Sequence, residues 1–525
     1  MGKVYLLDCT LRDGGYINNW EFGYKAITAI IQKLEQTGIE MIEVGFLKGD
    51  IYNPDQSLFP DINTIKKVLP HKVDGIRYVA MLDMSAPIPL ERITANQGDS
   101  VDGIRVIFKK NKINEAYDAC KYIRSQGYEI FVNFVNTDAY TDREFIDGLE
   151  KFNALNPTGV TIVDTFGMIK RKHFKRLLAI ADNNLCDDTM LCYHAHNNLQ
   201  QAYGNAEAMV EMNLKREIVI DACVFGMGRG AGNLNLELFA EFLNEEYGKK
   251  YKITPMLEIM DEYLSVIYKT KFWGYSLPLY LSAIHGCHPN YAIYWAEKNA
   301  LSEKAFNELL CSISNDDRFI FSKAKADAYY KKFMESFYDD TVSIATLTRD
   351  FQGKKKILLL APGSTLSANK TEIQNLIDDE TIVICVNFHD VNFSPSYVFI
   401  GNIRRFNKII QEHQCKIIAT SNIPDYQKAD YPINFSSLIG ANNEVFDNSG
   451  LMALRLLERL GVKEVSIAGM DGFSEMETGN YYANGFVVYH HAGRITSKNK
   501  LVSDELKKIS KYLKMNFITP TNYQL

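Results

Sequence analysis

This chain of 525 residues lacks the features that mark several broad classes of protein. No apolar run is long enough to cross a bilayer, and the first residues lead into a strand-like segment without the apolar core of a signal peptide. The nine cysteines never form a Cys-x-x-Cys pair, and several lie in apolar stretches, which indicates buried free thiols. No basic stripe is interleaved with aromatic residues, and a net charge of −6 gives no support for nucleic-acid binding. These absences predict a cytoplasmic protein with no membrane span and no nucleic-acid partner.

Strand-like and helical sequence patterns alternate regularly along the first part of the chain. At 525 residues, the chain is too long for a single hydrophobic core. Up to about residue 247, eight short β-branched runs alternate with longer helical patterns, and eight strands close a parallel barrel. The sequence therefore predicts a (β/α)8 TIM barrel over residues 1–250, with strands at 4–9, 41–46, 76–81, 104–108, 130–135, 160–165, 190–196 and 218–225.

Two histidines end the seventh of these runs. His194 and His196 lie two residues apart, so their side chains point to the same face of a strand. Paired imidazoles suit a divalent metal, and Asp13, just after the first strand, is the candidate third ligand. Three protein ligands leave coordination positions open for a substrate, which predicts a catalytic site.

Further polar residues lie at the carboxyl ends of the predicted strands, where barrel enzymes carry their catalytic groups. Arg12 and Asp13 follow the first strand, Glu43 lies in the second, Asp164 ends the sixth, and a glycine-rich loop at 226–233 follows the eighth. Glu43 and Asp164 have two candidate roles, support of the site or internal ion pairing. The loop either cradles an anion with its amides or forms a lid.

Two further regions follow the barrel. Residues 251–350 are predicted to be helical, and their aromatic, apolar faces predict packing beside the barrel mouth or a homodimer interface. Residues 355–525 again alternate strands with helices, which predicts a parallel, doubly wound α/β domain with ligands at the carboxyl ends of its strands. Candidate strands there are 357–361, 382–388, 397–400, 417–419 and 465–468. The overall fold class is α/β.

The first 250 residues resemble the barrel family that includes the metal-dependent aldolases, HMG-CoA lyase and isopropylmalate synthase. A weaker match at Gly274-Tyr275-Ser276 and Tyr280 indicates the 4-hydroxy-2-oxovalerate aldolase branch. Five motifs carry the main resemblance in order: Thr10-Leu11-Arg12-Asp13-Gly14, Ile42-Glu43-Val44-Gly45-Phe46, Asp164-Thr165-Phe166-Gly167, His194-Ala195-His196-Asn197-Asn198 and Gly228-Arg229-Gly230-Ala231-Gly232-Asn233.

This resemblance implies roles for individual residues. Asp13, His194 and His196 would ligate a divalent metal, with Asn233 close to it. Carboxylate and imidazole donors favour Mn²⁺ or Mg²⁺, with Zn²⁺ or Co²⁺ as further options. Arg12 would stabilise the enolate formed when a C–C bond of a 2-oxo acid is cleaved or made.

One position departs from the family pattern. The aldolase branch has a histidine base shortly after the Arg-Asp pair, and this chain has Tyr16 there. Tyrosine is a poor base near neutral pH. Tyr16 would then orient the substrate, or a water, Tyr280 or His285 would move the proton. His285 and His288 fit the role of packing residues equally well.

The last region of the chain carries a second set of motifs: Ala361-Pro362-Gly363-Ser364, Val386-Asn387, Asn448-Ser449-Gly450, Leu460-Gly461-Val462-Lys463-Glu464-Val465 and Gly469-Met470-Asp471. With these motifs, residues 355–525 resemble the small bacterial CMP-dependent sialyltransferases. The resemblance implies a CMP-linked sugar as ligand, in a domain that either transfers the sugar or only binds it. A phosphate would lie at Gly363 and Ser364, and the nucleoside would lie against Asn387, Ser449 and Gly450. His490-His491 would supply a base or form a solvated pair.

The leading hypothesis is a divalent-metal aldolase acting on a 2-oxo acid, fused to a nucleotide- or sugar-binding domain. Such a fusion would serve the synthesis of surface-polysaccharide precursors, by analogy between folds. Two alternatives stand beside it. The barrel could perform a Claisen condensation with an acyl-CoA, using the same metal and Arg12, or it could be an inactive scaffold for a glycosyltransferase.

Overall fold

A computed structural model describes residues 2–298, 300–352, 356–412, 415–474, 481 and 492–524. The chain forms two compact units, Met1–Pro289 and Asn290–Leu525, each with its own parallel sheet. The predicted boundaries of 1–250, 251–350 and 355–525 stay a prediction. The division between the two units falls within the predicted helical region.

The first unit is a closed parallel barrel, as predicted. Its sheet closes because the first strand pairs with both the second and the last. A two-residue strand, β3, lies beside the carboxyl end of β2, where a bulge shifts the register between Glu43 and Phe46. The strands are β1 Val4–Asp8, β2 Met41–Leu47, β3 Leu58–Phe59, β4 Arg77–Asp83, β5 Gly103–Phe108, β6 Glu129–Phe134, β7 Gly159–Asp164, β8 Met190–Ala195 and β9 Ile218–Ala222.

Helices surround the strands of this unit, and alternate strand residues pack against them in one large apolar core. The fifth helix begins with a capping box, in which Thr141 and Glu144 each satisfy the other's backbone amide. The helices are α1 Gly15–Asn18, α2 Tyr24–Thr37, α3 Ile62–Ile65, α4 Ile113–Ser125, α5 Asp142–Asn153, α6 Arg171–Asn184, α7 Ala202–Glu211, α8 Leu236–Tyr247, α9 Thr254–Ile259, α10 Ser265–Thr270 and α11 Leu277–Ile284, with a π-helical turn at Met260–Leu264.

The other strand residues point into the barrel, and their polarity changes along its axis. Near the amino ends of the strands, an apolar layer includes Met41, Phe131 and Val219. Two residues further along the same strands stand Glu43, Asn133 and Asp221, all buried. Because alternation brings every second residue to one face, each of these three strands contributes an apolar side chain below and a polar one above. The barrel interior is therefore polar at its carboxyl end.

The second unit contains a parallel sheet of seven strands among its described residues, in the order β14-β13-β12-β11-β10-β15-β16. The strand order reverses beside β10, the first strand of the unit, which is where doubly wound sheets bind ligands. The strands are β10 Lys356–Leu360, β11 Thr381–Val386, β12 Tyr397–Ile400, β13 Lys416–Thr420, β14 Tyr431–Ile433, β15 Glu464–Ala468 and β16 Lys514–Phe517.

Two of these strands, β14 and β16, have no counterpart among the predicted strands. Both lie at the edges of the sheet, and most of their residues are only half-buried or exposed. They therefore lack the continuous apolar run that identified the inner strands. The helices of the unit are α12 Pro289–Ala296, α13 Glu303–Cys311, α14 Lys323–Met334, α15 Thr341–Phe351, α16 Thr365–Ala368, α17 Lys370–Asn375, α18 Ile403–Glu412, α19 Ser449–Arg459 and α20 Ala492–Ile509.

Both predicted architectures are thus confirmed: a TIM barrel and a separate α/β unit with a parallel sheet. Within the described part of the chain, no helix has the length and apolar character needed to cross a bilayer.

The helical segment that follows the barrel and its connecting turns expose large apolar side chains, which generates a prediction about assembly. Leu257, Val266, Phe272, Tyr275 and Ile284 are all exposed. We expect these residues to form a homodimer interface, because exposed apolar side chains gain free energy when they are covered. Light scattering at micromolar concentration should give twice the chain mass of 59.8 kDa. The double substitution Val266→Glu with Phe272→Glu should give the monomer mass.

A matched control replaces an apolar residue exposed elsewhere on the same unit. Ile51 is more exposed than any of the five, and Ile51→Glu should leave the dimer mass unchanged. A monomeric unaltered chain would contradict the prediction.

Candidate active site

The polar end of the barrel is covered by the turn that follows β1. The backbone amides of Arg12 and Asp13 both donate to the carbonyl of Cys9, at 3.1 and 2.8 Å, which turns the chain back over the barrel mouth. The indole of Trp20 donates to the carbonyl of Arg12 at 2.7 Å and holds the turn from its outer side. Arg12 and Asp13 are consequently buried, although they lie in a loop.

The turn brings Asp13 to the two histidines at the end of β8. Ligand atoms of Asp13, His194 and His196 all lie within 4.8 Å of one another. Asp13 Oδ2 is 3.4 Å from His194 Nε2, and Asp13 Oδ1 is 4.0 Å from His196 Nδ1. The two imidazole rings stand nearly perpendicular, with centroids 5.3 Å apart. The three predicted ligands therefore converge on one point.

Two buried polar atoms at this point have no hydrogen-bond partner among the described residues. One is His196 Nδ1, and the other is the side-chain oxygen of Asn233. The Asn233 amide nitrogen donates to Asp13 Oδ1 and to the Met227 carbonyl, at 3.0 and 3.1 Å. Buried polar atoms are nearly always satisfied in folded proteins. A divalent cation bound by Asp13, His194 and His196 would give the His196 imidazole a partner, so the donor set fits a metal.

The protonation states of two ligands suit metal binding. Burial opposes ionisation of Asp13, but the Arg12 guanidinium and the two histidines outweigh it and hold its pKa well below the usual range. Burial also lowers the pKa of His196 to about 4, which keeps that imidazole neutral. A carboxylate and a neutral imidazole are the forms in which these residues ligate metals.

Arg12 is held by contacts on several sides. Its guanidinium contacts the Asp13 carboxylate, and its Nε donates to Glu43 Oε2 at 2.7 Å. The guanidinium carbon lies 5.8 Å from the centre of the Phe46 ring. Glu43 therefore forms a buried ion pair with Arg12 and also supports the site, so it combines the two roles considered for it.

Two buried charged residues in the barrel interior were missed by the sequence analysis. Arg105 on β5 donates to Glu43 Oε2 at 3.1 Å and pairs with Asp221 on β9. Asp221 Oδ2 in turn lies 3.1 Å from His194 Nδ1. The available signal was a single charged residue inside an otherwise apolar strand, in Gly103–Phe108 and in Ile218–Ala222.

Tyr16 lies at the mouth of the site in an aromatic cluster. Its ring centroid is 4.8 Å from that of Trp20 and 6.1 Å from that of Phe46, and the Arg229 guanidinium lies 6.0 Å from it. The residue is 41 % exposed. Desolvation and the Asp13 carboxylate nevertheless raise the pKa of its hydroxyl to about 12. Tyr16 is therefore a neutral hydrogen-bond donor near pH 7.

Other candidate residues lie elsewhere or have structural roles. Tyr280 lies on α11, with its ring 6.4 Å from that of Tyr275. Its catalytic role stays a prediction. His288 Nε2 lies 3.0 Å from an Arg229 nitrogen, and burial with that cation lowers the His288 pKa to about 3. Asp164 accepts the backbone amides of Met168 and Ile169, at 2.8 and 3.0 Å, and so fixes the turn after β7.

The glycine-rich loop after β9 packs closely on the site. A Cβ atom on Gly228 would lie 2.1 Å from Asn233 Nδ2 and 3.0 Å from Asp13 Oδ1. The amide of Ala231 donates to the Asn198 side chain at 2.8 Å, and the Gly232 carbonyl accepts from Asn197 at 2.9 Å. The loop therefore supports the metal-site residues, and its glycines permit the close approach.

The second unit has a cavity of about 220 Å³ at the carboxyl ends of its strands. Four of the five predicted nucleotide-binding residues line it, namely Gly363, Asn387, Ser449 and Gly450. The charged side chains around it are Lys298, Arg405, Lys498, Glu444, Asp447 and Asp471. His490 and His491 lie outside the described residues.

In the turn after β10, the Asp471 carboxylate accepts the hydrogen bonds of the turn residues. The fifth predicted residue, Ser364, directs its hydroxyl to Asp471 Oδ2 at 3.3 Å, and the Thr365 amide donates to the same oxygen at 2.8 Å. The Gly363 amide donates to the carbonyls of Ala361 and Gly469. Asp471 thus takes the donors that a phosphate at this turn would need.

Comparisons with known proteins agree with the barrel motifs. The family model described as HMGL-like matches residues 104–261. A 4-hydroxy-2-oxovalerate aldolase from Pseudoalteromonas translucida is 23 % identical over 245 residues, covering 46 % of this chain and 70 % of that protein. A homocitrate synthase from Methanosarcina acetivorans is 24 % identical over 281 residues, covering 50 % and 65 %.

Among solved structures, the N-terminal domain of a putative aldolase from Bacteroides vulgatus is 26 % identical with a TM-score of 0.47. The match covers 55 % of this chain and 96 % of that one. The family model and the sequence relatives show that the barrel is similar, at low identity, to aldolase- and lyase-type enzymes of the HMGL-like family.

The close fit of Gly228 generates a prediction about metal binding. Gly228→Ala places a methyl group against Asn233 and Asp13, so we expect Mn²⁺ affinity to fall by more than about 10-fold, as for residues that orient metal ligands. Isothermal titration calorimetry measures this directly. The control is Gly204→Ala, whose added Cβ meets only the end of the Arg171 side chain. Equal affinities in the two variants would contradict the prediction.

Proposed function

We propose that the first unit is a divalent-metal-dependent aldolase that cleaves or forms a C–C bond of a 2-oxo acid through an enolate. The observation that carries this proposal is the convergence of Asp13, His194 and His196 beside two unsatisfied buried polar atoms. Similarity to 4-hydroxy-2-oxovalerate aldolases supports the same reaction class. The carboxylate and keto oxygen of a 2-oxo acid would fill the open coordination positions.

Each residue of the site has a proposed task. Asp13, His194 and His196 hold the metal, Mn²⁺ or Mg²⁺ by preference and Zn²⁺ or Co²⁺ as further options, with Asn233 beside it. The bound metal would supply Lewis-acid polarisation of the keto oxygen. Arg12, fixed by Glu43 and Asp13, presents a permanent positive charge to the enolate oxygen.

Tyr16 is proposed to orient the substrate through a hydrogen bond. With a pKa of about 12 it keeps its proton near pH 7, so it does not replace the histidine base of the aldolase branch. A water, Tyr280 or His285 remains the proposed proton acceptor. The aldehyde is proposed to enter and leave beside the exposed ring of Tyr16, which packs against Trp20.

A second candidate reaction is Claisen condensation with an acyl-CoA. The similarity to a homocitrate synthase favours it, and it would use the same metal ligands and the same arginine. Product analysis separates the two reactions, because an aldolase releases an aldehyde or a 2-oxo acid and a condensing enzyme releases CoA.

Removal of a metal ligand tests the proposal. His194→Ala in the intact chain should lower kcat/KM for metal-dependent 2-oxo acid cleavage by more than about 100-fold, because loss of a ligand exceeds loss of a supporting residue. Pyruvate or aldehyde release in the presence of Mn²⁺ is the measurement. His173→Ala, outside the site and partly exposed on α6, is the control and should retain activity.

Sugar transfer by the intact chain without any metal-dependent C–C chemistry would contradict the aldolase proposal. It would favour the third hypothesis, a glycosyltransferase whose barrel is an inactive scaffold.

For the second unit we propose a binding site for a CMP-linked sugar. The specific observation is the cavity beside the reversal of strand order, lined by Gly363, Asn387, Ser449 and Gly450. Because Asp471 occupies the first turn, the phosphate is proposed to contact the cationic side chains of Arg405 and Lys498 instead. Together the two units would serve the synthesis of surface-polysaccharide precursors.

A matched pair of lysines tests this site. Lys498 lines the cavity with its ammonium group 4.6 Å from the Phe473 ring, and Lys500 on the same helix is exposed. Lys498→Met should weaken CMP binding at pH 7 by about 10- to 100-fold, since a charged hydrogen bond contributes about 1.5–3 kcal/mol. Lys500→Met should not change it. Calorimetric titration with CMP and UDP measures both variants, and unchanged CMP affinity in Lys498→Met contradicts the proposal.

A further inference from the structure

Asp221 makes two contacts that the proposed reaction does not use. Its side chain is fully buried on β9, and Oδ2 lies 3.1 Å from His194 Nδ1. The same oxygen pairs with the Arg105 guanidinium. Neither Asp221 nor Arg105 is one of the three predicted metal ligands.

The contact with His194 determines which imidazole nitrogen carries a proton. A carboxylate is only an acceptor, so Nδ1 must be the donor, and the lone pair of the neutral ring is left on Nε2. Nε2 is the nitrogen that faces Asp13, at 3.4 Å from its Oδ2. Without a metal both nitrogens face a carboxylate, Nε2 that of Asp13 and Nδ1 that of Asp221. A metal shared by Asp13 and His194 would take the Nε2 lone pair, whereas Nδ1 would still need its proton to face Asp221. Asp221 thus directs the coordinating atom of His194 toward the metal position.

Arg105 neutralises the buried Asp221 carboxylate and also contacts Glu43, on the side of the site that holds Arg12. An unpaired carboxylate in the barrel interior would be strongly disfavoured. Arg105 pairs with Asp221 and also donates to Glu43 at 3.1 Å, and Glu43 accepts from Arg12 at 2.7 Å. Arg105 therefore connects the residue that orients His194 to the residue that fixes Arg12.

We propose that Asp221 and Arg105 are positioning residues of the metal site, Asp221 fixing the tautomer and ring orientation of His194 and Arg105 holding Asp221 in place. This inference rests on the proposed metal-dependent function. Hydrogen bonds from a carboxylate to a ligating histidine orient the ring and raise its basicity, and their loss typically costs 10- to 100-fold in metal affinity.

The first test compares Asp221→Ala with Asp221→Asn. The alanine variant should bind Mn²⁺ 10- to 100-fold more weakly than the unaltered chain, measured by electron paramagnetic resonance of free Mn²⁺. The asparagine variant keeps one acceptor oxygen and should lose less. At saturating Mn²⁺, most of the kcat should return in both variants. A purely structural residue would lower the thermal midpoint without this metal-dependent rescue.

The matched control is Asp8→Asn. Asp8 is equally buried, on the adjacent strand β1, and its carboxylate accepts from Thr10. This variant should keep the Mn²⁺ affinity of the unaltered chain. Mn²⁺ binding by Asp221→Ala within about 2-fold of the unaltered chain would overturn the inference. Failure of the unaltered chain to bind Mn²⁺ would instead overturn the proposed function.

A second measurement does not depend on the Asp221 variants folding. In the unaltered chain loaded with Mg²⁺, long-range ¹H–¹⁵N spectra report the protonated nitrogen of each histidine. His194 should carry its proton on Nδ1, with assignment by loss of the signal in His194→Ala. A proton on Nε2 of His194 in the loaded protein would overturn the inference.

Discussion

The exclusion of water from the closed barrel is the constraint on which the site depends. Charges placed there must be paired, because an unpaired buried charge costs several kcal/mol. The chain of contacts runs from Asp13 through Arg12, Glu43, Arg105 and Asp221 to His194. Two arginines against three carboxylates give a formal charge of −1 before His194 is counted. A proton on His194 neutralises the set, whereas a divalent metal at the same end would bring it to +1.

This balance also explains the behaviour of His194. Burial alone would lower its pKa, but hydrogen bonds to Asp13 and Asp221 raise it well above the usual value. In the absence of metal, the histidine thus supplies the missing positive charge. A metal at Nε2 would take over that task, so metal and proton compete for one nitrogen while Nδ1 stays bound to Asp221.

Some of the site could be predicted from sequence because its residues share a short-range signal. His194 and His196 are two residues apart, and Arg12 and Asp13 are adjacent at a strand end, so alternation and barrel topology bring them together. Arg105 and Asp221 are separated by 116 residues and sit on opposite parts of the barrel. Alternation predicts that each points inward, but the register across the barrel, which pairs them, has no local signature.

The same distinction applies to the second unit. Its inner strands are continuous apolar runs and were predictable, whereas β14 and β16 are edge strands with one side open and carry mixed residues. The contact of Asp471 with Ser364 and Thr365 spans more than one hundred residues. It depends on β15 lying next to β10, which is a fact of strand order and not of composition.

The bulge in β2 has a consequence for how the barrel holds Arg12. Between Glu43 and Phe46 the strand gains one residue relative to β4, so side chains beyond the bulge exchange faces. Gly45 occupies it with a φ of 148°, where a Cβ would lie 2.2 Å from the Ser57 carbonyl. In a regular strand, Glu43 and Phe46 are three residues apart and would face opposite sides of the sheet; the bulge brings them to the same side. Because of the bulge, one strand contacts the Arg12 guanidinium with both the Glu43 carboxylate and the Phe46 ring.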